Sequence, residues 1–338
     1  MIWLALNNMQ RQNFYITQSG SIVRKNNTVW FENETVKKAI PVNGIDTIYC
    51  LGEVSINSKL LTFLAKQGII MHFFNYYGYY TGTFYPKETL VSGSLLVNQV
   101  EHYQSPEKRM LIAKLFVYSS IQNLIRILEH YRKHSKSVAD VMGYLSNLII
   151  KIDNCKDLPE LMNIEGRAWN TYYSSYEETL KGDFEFETRT RKPPENEINC
   201  LISFLNSLLY TTVLSEIYHT QLNPTISYLH EPFERRFSLA LDISEMFKPL
   251  IVQRAMLKLI NKMEIKENHF RKDVKGCMLN EEGRKIVLKE YDDRLKLTIE
   301  HPELKRLVSY RRLIRIECYK LIKHLIGDKE YKPFVIWW

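Results

Sequence analysis

The pattern of apolar and polar positions changes once along this 338-residue chain. From residue 12 to about residue 85, β-branched and aromatic runs are broken by turn chemistry: NFYITQ, Ser19-Gly20, SIVRK, Asn26-Asn27, TVWFE, then IDTIYCLG and GIIMHFFN. Such runs read as short strands, and Asn-Asn and Ser-Gly tolerate the positive φ angles of tight hairpins. One helix interrupts them in SINSKLLTFLAKQG. Its cap is Ser55 or Asn57, its apolar positions are Leu60, Leu61 and Leu64, and Gly68 stands where a left-handed C-terminal residue belongs. A small sheet domain or sandwich with one helix is the expected assembly.

After YYGYYTGTFYPKETL the period lengthens to that of helices. SPEKRMLIAKLFVYSSIQNLIRILEHYRKH opens with Ser105 as cap, Pro106 in the first helical position and Glu107 in the first turn. DLPELMNIEGRAWNTYYSSYEETL is likewise capped, by Asp157, with Pro159 in its first turn. KGDFEFETRTRKPPENE is the clearest loop, because Pro193, Pro194 and dense charge exclude a helix or a central strand. The boundary falls near residues 80–95. The expected class is α+β: an N-terminal β-rich, sandwich-like domain over residues 1–88, then an all-α domain over residues 89–338.

An apolar fraction of 45% is enough for two cores. Cys50, Cys155, Cys200, Cys277 and Cys318 are odd in number, scattered and without a C-x-x-C pair, which argues against a disulfide framework or a zinc ribbon and for a reducing cytoplasm. The opening residues have no basic region before the apolar stretch and no small-residue cleavage site, and nowhere do 18 uncharged apolar residues run together. Neither export nor membrane spanning is expected. The net charge of +8 is compatible with a polyanionic partner. Its excess lies late, in HFRKDVKG and RRLIRIECYKLIKH, which favours a binding face. The competing reading is a set of solvated helix faces with i,i+4 partners such as Glu290 and Arg294.

Candidate chemistry begins with the run from Ser238 to Lys248. At about 100° per residue, Ser238, Asp242 and Glu245 share one helix face, while Phe237, Leu239, Leu241, Ile243, Met246 and Phe247 crowd the others. Carboxylates in such surroundings require a counter-charge, hydrogen bonds or a metal. Glu165 poses the same problem, lying mid-helix among Trp169, Tyr172 and Tyr176, unless it is a surface partner of Arg167. His230 precedes the two acids by 12 and 15 residues; alone it reads more readily as a core or loop histidine. Together, one imidazole and two or three carboxylates favour Mg²⁺ or Mn²⁺ over structural zinc and suit phosphodiester chemistry. Arg189, Arg191 and Lys192, beside the Pro-Pro loop, are candidate phosphate contacts, as are the late basic helices.

Four blocks then occur in a telling order: LMNIEGRAWNTYY, RTRKPPENEINCLISFLNSLLY, LNPTISYLHEPFERRFSLALDISEMFKPLIVQR and CMLNEEGRKIVLKEYDDRL. With the start IDTIYCLGEVSINSKLLTFLAKQGIIMHFFNYYG, nearly the whole chain resembles the CRISPR-associated adaptation endonuclease, the first-numbered Cas protein. The resemblance implies a β-domain followed by a helical catalytic domain, with Glu165, His230 and Glu245 as ligands of Mg²⁺ or Mn²⁺. Asp242 then supports a ligand or joins the set, and its alanine variant is expected to be milder or variable. The implied activity is that of a metal-dependent DNA endonuclease and integrase. A spacer's 3′-hydroxyl attacks a repeat-border phosphodiester in duplex DNA, catalysed by a homodimer bridged by the small ferredoxin-like second-numbered Cas protein. The departures are Ser227-Tyr228 in place of a common Gly-Phe pair, Gln253 in place of a frequent aspartate, and Trp169 in place of a small residue; none removes a ligand. Two other classes remain at this stage: a stand-alone nuclease selective for branched DNA, and a non-catalytic DNA scaffold.

Overall fold

Local chemistry sets the first helix as expected: Asn57 accepts from Leu60 N at 2.9 Å, and Gly68 closes it at φ 65°, a left-handed conformation that favours glycine. The structure, a computed structural model, describes residues 11–133, 135–181, 184–191, 193–232, 237–273 and 276–338. These divide into two compact units, one up to Thr89 and one from Leu90.

The first unit contains β1 (Gln12–Ile16), β2 (Gly20–Lys25), β3 (Thr28–Glu32), β4 (Lys37–Pro41), β5 (Ile45–Cys50), β6 (Val54–Ile56), α1 (Ser58–Gln67), β7 (Ile70–Phe74) and β8 (Tyr80–Phe84). Two four-stranded sheets form, in the orders β1-β5-β7-β8 and β4-β3-β2-β6. Alternate residues of both face one core: Ile16, Ile48 and Met71 from the first, Ile22, Val29 and Phe31 from the second, with Leu60, Phe63 and Leu64 of α1. Asn26, at φ 55°, turns β2 into antiparallel β3. Ser19-Gly20 does not close a hairpin. Instead β1 pairs in parallel with β5, and the chain passes at Gly20 into the other sheet. Glycine is required there by proximity, since a Cβ would lie 2.7 Å from Glu32 O.

The second unit comprises α2 (Gly93–Gln104), α3 (Pro106–Arg132), α4 (Lys136–Ile152), α5 (Leu158–Ser174), α6 (Tyr176–Thr179), α7 (Glu197–Tyr218), α8 (Ser238–Phe247), a π-helical turn (Lys248–Gln253) and α9 (Arg254–Asn261). It continues with the hairpin β9 (Phe270–Asp273) and β10 (Gly276–Leu279), α10 (Glu281–Lys296), the hairpin β11 (Thr298–Glu300) and β12 (Leu307–Ser309), and α11 (Tyr310–Leu325). Ser105 and Asp157 cap α3 and α5 as expected. By length and composition α3 and α7 could cross a membrane, but 61% and 78% of their most apolar windows are buried inside this unit, as befits core helices.

Two charge groups depart from the picture of solvated faces. Glu290 and Arg294 do pair at i,i+4, yet both are buried, and Lys258 of α9 takes the second Glu290 oxygen. Packing of α9 on α10 removes that face from water. Arg311 and Arg315 of α11 both bind the buried Glu216 of α7, each at 2.6 Å. Burial alone would raise the Glu216 pKa, but the charges and hydrogen bonds of the two arginines together hold it below the ordinary value. This ion triad therefore adds stability that is present above about pH 4.5 and lost as pH falls through the depressed pKa. Glu216→Gln should cost roughly 3–5 kcal/mol at neutral pH, since it removes the buried negative charge that both guanidinium groups bind. Melting curves taken from pH 7 to pH 3 should show the gap to the unaltered chain closing in acid; a pH-independent gap would contradict this assignment.

Candidate metal centre

In α8, Ser238, Asp242 and Glu245 lie on one face, but the face is not open to water: all three are buried, and Leu241 is its only residue of intermediate exposure. Asp242 is held by the loop that follows α7. Its Oδ2 accepts from the backbone N–H groups of Tyr228 (2.7 Å) and Leu229 (3.0 Å). Its Oδ1 accepts from His230 N (3.0 Å) and meets His230 Nδ1 at 2.8 Å. Four donors converge on one carboxylate, which explains why a fully buried aspartate is tolerated. Both oxygens are thereby engaged, which favours a supporting part for Asp242 over that of a ligand. With Nδ1 occupied, Nε2 is the ring nitrogen left to bind a cation, the carboxylate–histidine arrangement common around metals. Burial disfavours the imidazolium, but the bond to Asp242 and the charges of Asp242 and Glu245 outweigh it and raise the His230 pKa.

Two further residues brace the same loop. Arg109 of α3 donates from Nε to Tyr228 O (3.0 Å) and from Nη2 to Glu231 (2.8 Å), so it brackets His230 on both sides. Gln99 of α2 pairs with the main chain of Asn223 in both directions, at 2.8 and 3.2 Å. Both lie more than 100 residues before the loop, and no local pattern singles them out.

One turn beyond Asp242, Glu245 binds the ammonium of Lys248 through Oε1, while its Oε2 is buried without a hydrogen-bond partner. Glu165 of α5 is close enough for the two carboxylates to repel. Desolvation first, then the charge of Glu245, pushes its pKa up to about 7, against the opposing pull of Lys248, His230 and Arg191. Burial would also raise Glu245, but Lys248 and His230 outweigh it and keep that carboxylate ionised. Arg167 does not pair with Glu165 as the surface reading supposed; it binds Tyr144. Trp169 lies under Lys248, 5.9 Å from the ammonium to the ring centroid. Lys248 was visible in the sequence three residues after Glu245, but that spacing alone signals only an ordinary helix pair.

Glu165, His230 and Glu245 thus act on one another electrostatically although they come from three separate segments. Among the described residues, no three histidine, cysteine or acidic side chains are drawn closely enough together to hold a metal ion as they stand. The donor set nonetheless fits a hard divalent cation: a buried, unpartnered carboxylate oxygen, a second carboxyl whose pKa is raised to about 7 by desolvation and by the first, and an imidazole fixed through Nδ1. Lys248 supplies the positive charge that balances Glu245 here.

The candidate phosphate contacts separate. The Arg189 guanidinium turns into the fold, donating to Asn199 Oδ1 and Ser203 Oγ, both at 2.9 Å, and so anchors the loop to the start of α7. Arg191 is exposed and contributes positive charge near Glu165. Lys192 lies outside the described residues.

Comparison with known proteins adds independent findings. Residues 14–293 match the family model described as CRISPR associated protein Cas1. A CRISPR-associated endonuclease Cas1 of Thermodesulfovibrio yellowstonii is 51% identical, the match covering 97% of this chain and all of that one. A solved CAS1 protein from Thermotoga maritima is 44% identical with a TM-score of 0.87, over 95% of this chain and 99% of that one. A casposase bound to integration product has the same fold at 18% identity, with a TM-score of 0.83 over 95% of this chain and 92% of that one.

Proposed function

The chain belongs to the CRISPR-associated Cas1 family, and on that premise we propose that it is a metal-dependent DNA endonuclease and integrase that inserts spacer DNA into a CRISPR repeat array. The observation that carries the metal dependence is the buried, unpartnered Glu245 Oε2 beside a second carboxylate and a fixed imidazole. Glu165, His230 and Glu245 would hold Mg²⁺ or Mn²⁺. The bound cation supplies Lewis-acid stabilisation of charge at the phosphodiester and orients the attacking oxygen. Asp242 keeps the His230 ring in one orientation and ties down the loop that carries it. Arg191, whose charge acts on Glu165, would attract a phosphate near the acids, while Arg189 shapes the loop that carries it. The protein works in the cytoplasm on double-stranded DNA, as a homodimer bridged by the small second-numbered Cas protein, with the first unit serving pairing and docking.

The test is an integration assay with the purified chain, its companion, Mn²⁺, a duplex with free 3′ ends and a supercoiled plasmid carrying the repeat. Both spacer ends should join at the repeat borders, and a chelator should stop the reaction. Cleavage of branched DNA without the companion, and with no insertion, would instead favour the stand-alone nuclease. Activity surviving the chelator would remove the metal from the mechanism.

A further inference from the structure

The end of α8 has a backbone deficit that begins at Pro249. Proline lacks the proton that an α-helical residue would give to Glu245 O, and the π-turn shifts the pairing by one residue. Carbonyl groups at this helix end therefore draw on donors from elsewhere. Asn123, wholly buried on α3, supplies one: its Nδ2 donates to Met246 O at 2.9 Å. The same amide group donates to Phe334 O at 3.2 Å, and Oδ1 accepts from Ile336 N at 2.7 Å. The segment 331–336 is fastened on its other side by Glu317 of α11, whose Oε1 accepts from Phe334 N (2.9 Å) and Tyr331 Oη (2.6 Å). The Phe334 ring stacks on Phe247 with centroids 4.7 Å apart and planes 12° from parallel. Met246 and Phe247, the two residues after Glu245, are thus gripped through a main-chain carbonyl and a ring.

We infer that Asn123 and the segment 331–336 form a brace that positions Glu245 for the cation, an inference that rests on the metal reading above. Glu245 is held through Oε1 by Lys248, three residues on at the same helix end, and Oε2 has no close partner, so the place of the carboxylate follows where the end of α8 lies. A core that needed only volume would be served by leucine at position 123. A carboxamide that joins α8 to a segment more than 200 residues away in sequence fixes direction as well. Asn123 is accordingly a positioning residue.

The experiment uses the full chain with Asn123→Ala, Phe334→Leu and, as control, Asn280→Ala, which removes a 2.9 Å cap bond to Gly283 N at the start of α10, away from both α7 and α8. Amide exchange is followed without metal, and Mn²⁺ affinity is measured by calorimetry. Exchange over residues 243–248 should rise about tenfold more than over α7, and Mn²⁺ affinity should fall roughly tenfold, the range seen when groups supporting metal ligands are removed. The control should change neither selectively. If Asn123→Ala does not fold, Phe334→Leu still provides both readouts. A rise in exchange shared equally by α7 and α8, with Mn²⁺ affinity unchanged, would reduce the brace to ordinary core packing and overturn the proposal. Failure of the unaltered chain to bind Mn²⁺ would sink the metal reading itself, and the exchange pattern would then decide alone whether the brace holds this helix end.

Discussion

Alanine in place of Glu165, His230 or Glu245 will lower Mn²⁺-dependent nicking and strand transfer by about a thousandfold, and the protein will stay folded. The magnitude follows from several kcal/mol of charge stabilisation by a bound cation, at about 1.4 kcal/mol for each factor of ten. The intact fold follows from the surroundings. Glu245→Ala loses the ion pair with Lys248, whose ammonium is exposed enough to be rehydrated, and the link to the neighbouring Glu165 carboxyl. Removing Glu165 takes away a half-buried carboxyl whose ionised form is disfavoured by desolvation and by Glu245, so the metal-free variant should melt no lower than the unaltered chain. Activity and metal-free melting should be measured on the same preparations. Full activity in any one variant would exclude that residue from the centre, and early unfolding would recast it as a structural group.

Asp242→Ala should behave in the opposite way, and more severely than its sequence position led one to expect. Its carboxylate accepts from three backbone N–H groups and meets one imidazole nitrogen, all within 3.0 Å. Alanine would strand those donors in a buried site, at a cost of about 3–5 kcal/mol given the worth of hydrogen bonds to a charged group. For a unit of this size that corresponds to a fall in melting temperature of roughly 10 °C. Unlike the ligand variants, this loss should appear without metal, and the His230 loop should become the first site of proteolysis. Asp242→Asn retains the shape but sets an amide group against N–H donors, so it should fall between the two. Unchanged melting of Asp242→Ala would show that the loop is held mainly by Arg109 and Gln99.

Much of this protein is local and therefore legible in the sequence. Asn57, Ser105 and Asp157 cap their helices because a short polar side chain reaches the backbone N–H three residues on, whatever the rest of the fold does. Period-two runs set the strands, and 100° spacing placed Asp242 and Glu245 on one buried face; both follow from backbone geometry alone. Periodicity says which face is buried, however, and not what meets it. That Asp242 would be saturated by a loop 12 to 14 residues earlier, that Arg109 and Gln99 would brace the loop, and that Asn123 would join α8 to residues near 336 all depend on contacts between distant segments. The same holds for Arg189, Arg311 and Arg315, which looked like free cations and are engaged by Asn199 and Glu216. Ser19-Gly20 carries hairpin chemistry, yet it leads from one sheet to the other because β1 finds its partner in β5. The sequence by itself determined the elements, their buried faces and the residue types of the candidate centre. Only the tertiary structure decided which charges are neutralised inside the fold and which are left to act, because pairing of buried groups is settled by packing between segments that local spacing does not connect.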